Sequence, residues 1–256
     1  MTPANAIRGG DFDYDTHGGG YAQRRRPDPR IEAMVHAALG DAKTVLNVGA
    51  GAGSYEPLDR RVIAIEPSAA MRAQRPPDRP AIIGFAEQLP LDDQSVDAAM
   101  AIYTVHQWAD LDAGLAELRR VTRGPIVIMA GDADTFDRLW ITDYAPELLS
   151  AEAKRTPSMA YLAERIGARS EILSVPVPFD CTDGFLEAFY GRPERMLEPQ
   201  VRQAQSSWGF VDAGVEARFV EALSKDLASG RWDERYGHLR TQATFEGALR
   251  LVVGRP

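Results

Sequence analysis

A series of short apolar segments, alternating with helical patterns, constrains the fold more than any other feature of the chain. Five such segments are apolar on both faces: TVLNV (44–48), RVIAI (61–65), AIIG (81–84), VDAAMAI (96–102) and PIVIMA (125–130). Parallel strands that are covered by helices on both sides have this composition. The alternation predicts a doubly wound α/β fold whose ligand binds at the carboxyl ends of the strands.

Two further apolar segments, EILSVPVPF (171–179) and ALRLVV (248–253), predict the last strands of a mostly parallel, seven-stranded sheet. The residues between them are too many for a hairpin, and their pattern is mostly helical. We therefore predict an α/β core over 27–176 and 248–256, with a helical insertion over 177–247. Residues 1–26 are polar and glycine-rich, which predicts a flexible N-terminal arm.

Composition excludes several classes of partner. The formal net charge is -8, so the chain repels polyphosphate and nucleic acid is not an expected partner. No apolar segment reaches the roughly 20 residues of a membrane span, and no signal peptide is evident. One cysteine in 256 residues fits a reducing cytoplasm, and the spacing of the four histidines predicts no metal site.

Glycines at alternate positions follow the first predicted strand: Gly49, Gly51 and Gly53. Glycine adopts positive φ and lets a ligand approach the backbone closely, although a tight turn would also explain the motif. Glu66 ends the second predicted strand, where an acid can accept both hydroxyls of an adenosine ribose. A lone glutamate there would be a surface acid, but together with the glycines it favours a site for an adenosine cofactor.

The spacing of this loop separates two kinds of adenosine cofactor. The motif is GAGAG rather than GxGxxG, and only SYEPLDR, with Pro57 in its middle, precedes the next strand. About one turn of helix fits in that space, which is poor support for a pyrophosphate. The loop therefore favours S-adenosylmethionine, which has no phosphate, over NAD.

The successive motifs VLNVGAGAGSY, VIAIEPSAAM, FAEQLPLDDQSVDAAMAIYTVHQW and LAELRRV resemble those of class I S-adenosylmethionine-dependent methyltransferases. The chain is most similar to the small-molecule type that includes the ubiquinone/menaquinone-biosynthesis and trans-aconitate methyltransferases. Its C-terminal part resembles an actinobacterial subgroup of methyltransferase-like proteins. The resemblance implies a Rossmann-like methyltransferase fold, with the arm as a lid and the insertion on the acceptor side.

The resemblance also implies roles for individual residues. The glycines would meet the methionine part of the cofactor, Glu66 the ribose and Met71 the adenine. Tyr21 and Arg26 would close over the cofactor, with Arg26 pairing its carboxylate. The full set of expected cofactor-binding residues is Tyr21, Arg26, Asn47, Gly49, Ala50, Gly51, Gly53, Glu66, Pro67, Met71, Ala86, Glu87, Ile102, Tyr103 and Val105.

Two residues depart from the family pattern. Asn47 replaces the acid usually found near the end of the first strand, and Phe85 replaces an aspartate near the adenine. These departures leave open a methyltransferase-like, non-enzymatic protein with a degenerate site. A NAD-dependent oxidoreductase is a third and weaker alternative.

The favoured function is methyl transfer to an oxygen, nitrogen or carbon nucleophile of a small molecule. His106 is a candidate base because its ordinary pKa suits proton transfer near neutrality, although it could instead order its loop. Tyr103 is a second candidate catalytic residue, or part of the pocket wall. Aromatic residues that could line the acceptor pocket, or pack in the core, are Trp140, Tyr144, Phe185 and Tyr190. The sequence specifies neither the acceptor nor the oligomeric state.

Overall fold

The computed structural model describes residues 12–256, and residues 1–11 of the predicted arm lie outside the described part. A six-stranded sheet forms the centre, in the order β2-β1-β3-β4-β8-β5. The eight strands, in chain order, are β1 Thr44–Val48, β2 Arg61–Ile65, β3 Ala98–Ile102, β4 Ile126–Gly131, β5 Arg169–Ser174, β6 Val177–Pro178, β7 Thr244–Phe245 and β8 Leu249–Arg255. Strands β1 to β4 are parallel, and β8 runs antiparallel between β4 and β5.

Helices surround this sheet on both faces. Those of the described part are α1 Tyr14–His17, α2 Tyr21–Arg24, α3 Pro29–Ala38, α4 Ala69–Arg72, α5 Leu111–Val121, α6 Pro146–Arg155, α7 Met159–Ile166, α8 Pro199–Gln203, α9 Ala213–Ser229 and α10 Arg231–Tyr236. Asp28 caps α3 by accepting a hydrogen bond from the Arg30 backbone N–H, and Pro29 occupies the first turn. None of the helices within residues 12–256 combines the length and the apolar character needed to cross a membrane.

The predicted α/β fold is confirmed, but the number of strands in the main sheet is six rather than seven. The segment 81–84 makes a single bridge, in which Ile82 N–H donates to the Ala64 carbonyl at 2.8 Å. Pro80 precedes it without a backbone donor, and Ile83 is 67% exposed at the sheet edge. A segment so short and so poorly covered does not extend into a strand.

The predicted strand at 171–179 is also divided in two. Strand β5 ends at Ser174, and β6 pairs with β7 in a separate two-stranded sheet. Pro176 lies between them and has no backbone N–H to continue the ladder. The chain therefore leaves the main sheet here and enters the helical insertion.

The insertion packs against one face of the sheet. Phe219 and Trp232 of the insertion belong to the same buried apolar cluster as Val45 of β1 and Val127 of β4. A second cluster on the other face joins α5 and α7 to the sheet. Because one core continues from the sheet into the insertion, we propose that 177–247 folds together with the α/β core.

Candidate active site

A cavity of about 620 Å³ opens at the carboxyl ends of β1, β2 and β3. Its volume lies within the range of ordinary small-molecule sites. Of the residues expected to bind a cofactor, those lining this first cavity are Tyr21, Asn47, Gly49, Ala50, Gly51, Glu66, Pro67, Met71, Ala86, Glu87, Ile102 and Tyr103. Phe85 also lines it. The position is the one that a doubly wound sheet reserves for its ligand.

The glycine loop after β1 takes conformations that other residues rarely adopt. Gly49 has φ of 66° and Gly51 has φ of 50°. A Cβ on Gly49 would lie 1.9 Å from Thr104 Oγ1, so the loop can lie against the residues after β3 only without a side chain. Gly53 has φ of 95° but does not line the cavity, and its neighbours are Arg75 and Glu56.

Glu66 connects this loop to the end of β2. Its Oε2 accepts a hydrogen bond from Gly51 N–H at 2.7 Å, and its Oε1 accepts one from Ser68 N–H at 2.8 Å. Burial raises the pKa of this carboxyl, and the two backbone donors oppose that rise. The side chain lines the first cavity with both oxygens fixed, and each oxygen retains a lone pair for a ligand hydroxyl.

A buried ion pair supports the loop from behind. Arg75 Nη2 donates to both oxygens of Glu56, at 2.9 and 2.8 Å, and the two side chains are almost completely buried. Arg75 Nη1 donates to the carbonyls of Ala50 and Gly51 at 3.4 and 3.3 Å. Asn47 Nδ2 donates to Glu56 Oε1 at 2.9 Å. The acid missing at position 47 is thus supplied by Glu56, and the amide of Asn47 complements it.

The sequence analysis did not identify Glu56 and Arg75. They are 19 residues apart in loops, and no helical or strand spacing relates them. The usable signal was indirect, since an asparagine in place of an acid suggests that another carboxylate lies nearby.

The described part of the arm is attached to α4. Asp15 Oδ1 accepts hydrogen bonds from Ser68 Oγ at 2.7 Å and from Ala70 N–H at 3.0 Å, which lower the pKa of Asp15. Gln74 accepts from Ala22 N–H and donates to the Gly18 carbonyl. The arm thereby covers the first cavity, and Tyr21 lines it.

Arg26 does not take the predicted position. It is exposed and lines neither cavity, whereas Arg25 is directed inwards. Helix α2 ends at Arg24, and Arg25 then forms a β-bridge with Asp183. Its Nε donates to Asp183 Oδ1 at 2.6 Å, and Tyr55 Oη donates to Asp183 Oδ2 at 2.8 Å. This extended backbone directs Arg25 and Arg26 to opposite sides.

A second cavity of about 120 Å³ adjoins the first one, where β4 ends and β8 begins. Tyr14, Tyr21 and Tyr103 line both cavities. Of the predicted residues, His106 and Phe185 line the second cavity, and His106 Nε2 lies 3.3 Å from Gln107 Nε2. Val105 is buried in the core and lines neither cavity.

The other three predicted acceptor residues do not line either cavity. Trp140 packs edge-to-face on Trp232, with ring centroids 5.7 Å apart. Tyr144 donates its hydroxyl to Asp226 at 3.0 Å, and Tyr190 donates its own to the Gln242 carbonyl at 2.7 Å. Trp140 and Tyr144 thus join the segment after β4 to the insertion, and Tyr190 bonds within the insertion, so all three pack in the core, which is the alternative that the sequence left open.

Tyr103 lies at the junction of the two cavities in a strained conformation. Its φ is 53°, in the left-handed region that a tyrosine rarely adopts. Its hydroxyl is buried and has no hydrogen-bond partner within residues 12–256, and burial raises its pKa. An orphan buried hydroxyl costs about 1–3 kcal/mol. Tyr103 is therefore a candidate functional residue at the junction of the cavities.

Comparison with known proteins agrees with this fold. Residues 46–125 match the family described as methyltransferase domain. A crystal structure of a putative methyltransferase from an antibiotic biosynthesis pathway of Anabaena variabilis is 30% identical, with a TM-score of 0.83. The match covers 91% of this chain and 99% of that one. The chain belongs to the class I S-adenosylmethionine-dependent methyltransferases, an enzyme family whose cofactor is S-adenosylmethionine.

Two curated relatives match a shorter part of the chain. An uncharacterized methyltransferase of Mycobacterium tuberculosis is 36% identical over 114 residues, which are 41% of this chain and 45% of that protein. A malonyl-[acyl-carrier protein] O-methyltransferase of Yersinia pestis is 36% identical over 109 residues, 38% of this chain and 40% of that protein. The matched part thus spans less than half the length of these relatives. Family membership sets aside the NAD-dependent alternative.

Proposed function

We propose that this protein transfers a methyl group from S-adenosylmethionine to an oxygen, nitrogen or carbon nucleophile of a small molecule. The observation that carries the proposal is the pair of adjoining cavities, with Tyr103 at their junction. The first has the volume and the acidic residue for an adenosine cofactor, and the second is small and is lined in part by the arm. The Anabaena relative, placed in an antibiotic biosynthesis pathway, supports an acceptor of low molecular weight.

The first cavity fits the cofactor on three counts. Glu66 offers two fixed oxygens to the ribose hydroxyls. The backbone of Gly49 and Gly51 lines the cavity at positive φ, and Gly49 packs against Thr104 without a side chain, so this loop can present its backbone to the methionine part. Met71 and the residues from Phe85 to Glu87 line the remaining wall, on the adenine side.

Proximity and desolvation account for most of the catalysis we propose. When bound, S-adenosylmethionine supplies an electrophilic methyl carbon, so the protein chiefly has to align an acceptor and exclude water. The arm and the insertion cover the junction of the cavities and exclude water from it. Tyr103 can hold the acceptor through its free hydroxyl. His106, on the wall of the second cavity, can receive a proton from the acceptor.

The arm, the α/β core and the insertion thus have separate tasks in the proposal. The arm is a lid over the cofactor, the core binds that cofactor, and the insertion provides the acceptor side through Phe185. Arg25 replaces Arg26 as the inward arginine of the lid, and it pairs with Asp183 of the insertion.

Calorimetric titration with S-adenosylmethionine, S-adenosylhomocysteine and NADH, in separate runs, tests the cofactor. We expect micromolar binding of the first two and none of NADH. Binding of NADH alone, or of none of the three, would contradict the proposal. A screen of small-molecule acceptors, read by formation of S-adenosylhomocysteine, then tests the transfer itself.

A further inference from the structure

The charged groups around the second cavity are not balanced. Arg25 is paired with Asp183 at 2.6 Å, and Glu152 is paired with Arg155 at 2.9 Å. Glu187 also lines this cavity, and no cation of the described residues lies within 4 Å of its carboxylate. Glu187 is therefore a carboxylate of this wall without an ion-pair partner among the described residues, and Arg250 acts on it only from a longer distance.

The position of Glu187 is fixed by the start of β8. Both of its oxygens lie 3.0 Å from Ala248 N–H, which donates to them. A Cβ on Gly247 would lie 2.2 Å from Glu187 Oε1, so glycine at 247 leaves the space that the carboxylate occupies. The nearby Arg250 is engaged elsewhere, since its Nε lies 3.3 Å from Asp132 Oδ2.

A buried carboxylate of this kind is costly unless it has a task. The residue is only 6% exposed, and the backbone N–H groups of Gly247, Ala248 and Leu249 only partly offset its loss of water. Each oxygen keeps free lone pairs, so the group accepts hydrogen bonds from a ligand and repels an anion. Its cavity is lined by apolar residues as well, including Phe136, Leu139 and Phe185.

We propose that Glu187 selects the acceptor of this methyltransferase: a small ring compound whose head group donates hydrogen bonds, a hydroxyl or an amine, rather than a carboxylate. The inference rests on the proposed function, because it takes the second cavity as the acceptor site. A cavity of roughly 150 Å³ holds a benzene ring, and this one has about 120 Å³. The space therefore suits no more than a single small ring.

Three probes with the same ring and different head groups test this selection: benzylamine, benzyl alcohol and benzoate. Their binding is measured by ligand-observed NMR on the protein saturated with S-adenosylhomocysteine, at about pH 8.5, where a carboxyl is ionised. We expect benzylamine and benzyl alcohol to bind at least about tenfold more tightly than benzoate, since like charges at an interface are strongly disfavoured.

Two variants assign the effect to Glu187. Glu187→Gln keeps the shape and removes the charge, so the discrimination against benzoate should fall to about twofold or less. Glu246→Gln makes the same change on an exposed residue that lines neither cavity, and it should retain the wild-type preference. If Glu187→Gln does not fold, the order in which the three probes bind to the wild-type protein still tests the proposed selection.

The outcomes separate this inference from the proposed function. Equal binding of all three probes, tighter binding of benzoate, or no binding of any probe to the loaded protein overturns the role of Glu187. Failure of S-adenosylhomocysteine itself to bind overturns the proposed function instead, and with it the basis of the inference.

Discussion

Glu56 and Arg75 form a buried ion pair at 2.8 Å, directly behind the glycine loop that lines the first cavity. Arg75 also donates to the carbonyls of Ala50 and Gly51, so the pair fixes the shape of the loop. Asn47 completes the arrangement through its amide. In the sequence, Asn47 is an amide in place of an acid. In the structure, this amide is part of a complementary set, in which the Glu56 carboxylate faces the Arg75 guanidinium and the Asn47 amide.

The substitution Asn47→Asp should destabilise the protein by about 1–3 kcal/mol near neutral pH. It replaces a donor 2.9 Å from Glu56 with a second carboxylate, which one arginine has to compensate. Chemical denaturation at pH 7 measures the loss. The double variant Asn47→Asp/Glu56→Gln exchanges the two groups and should recover most of it; equal stability of the single and double variants would contradict this account.

Replacing Glu66 should weaken the cofactor complex strongly. Hydrogen bonds to a charged group contribute about 1.5–3 kcal/mol, so Glu66→Ala should lower the affinity for S-adenosylhomocysteine by roughly 10- to 100-fold. Calorimetry measures the affinity, and thermal unfolding checks that the loop after β1 still folds without the hydrogen bond from Gly51 N–H to Glu66. Glu221→Ala, on an exposed residue of α9, should leave the affinity unchanged. A folded Glu66→Ala variant with wild-type affinity would remove Glu66 from the ribose site.

Tyr103→Phe should leave the free energy of unfolding unchanged or raise it by about 1 kcal/mol, because it removes a buried hydroxyl that has no partner. Transfer to an acceptor should fall, since the hydroxyl is proposed to hold that molecule. Denaturation and turnover are compared on the same preparation. In Tyr103→Gly the backbone can adopt φ of 53° without strain, so this variant is the reference for the cost of backbone strain at position 103. A marked loss of stability in Tyr103→Phe would show that the hydroxyl is satisfied within the fold.

Glu187 should make the protein less stable as pH rises from about 4.5 to 7. Burial raises the pKa of this carboxyl from 4.5 to about 7, and Ala248 N–H and Arg250 only partly oppose the rise. The folded state then holds a proton that the unfolded state has released, so the free energy of unfolding falls through this window by up to about 3 kcal/mol. Below pH 4.5 the contribution is unchanged.

Denaturation at a series of pH values, for the wild type and for Glu187→Gln, isolates the contribution of Glu187 to the free energy of unfolding. The difference between the two curves should change across pH 4.5 to 7 and be flat outside it. Glu246→Gln should follow the wild type, since that side chain is exposed. Parallel curves for wild type and Glu187→Gln would mean that the carboxyl titrates at its ordinary value.

Local patterns in the sequence predicted the centre of the site. The strand before Gly49 and the acid at the end of β2 follow from short-range periodicity, and Gly49 and Glu66 both line the first cavity. The hydrogen bond from Gly51 N–H to Glu66 was not predicted. The edge segment at 81–84 was overpredicted because apolar character alone does not supply a covering layer. Its single bridge through Ile82 reflects the exposed edge on which it lies.

Contacts between distant residues could not be predicted in the same way. Arg25 and Asp183 are 158 positions apart, and nothing in either local sequence relates them. The choice between Arg25 and Arg26 depended on where α2 ends, and helix ends are set by capping and tertiary contacts. The core positions of Trp140 and Tyr190 likewise depend on how the insertion packs.

The bridge between Arg25 and Asp183 has a consequence for the order of events. The arm is attached on one side to α4, through Asp15 and Gln74, and on the other to the insertion, through Arg25. In the function that we propose, an arm seated over the cofactor also completes the wall of the second cavity, where Arg25 and Tyr21 both lie. Binding should be sequential: the donor first, the acceptor only afterwards, with the methylated product leaving before the spent donor.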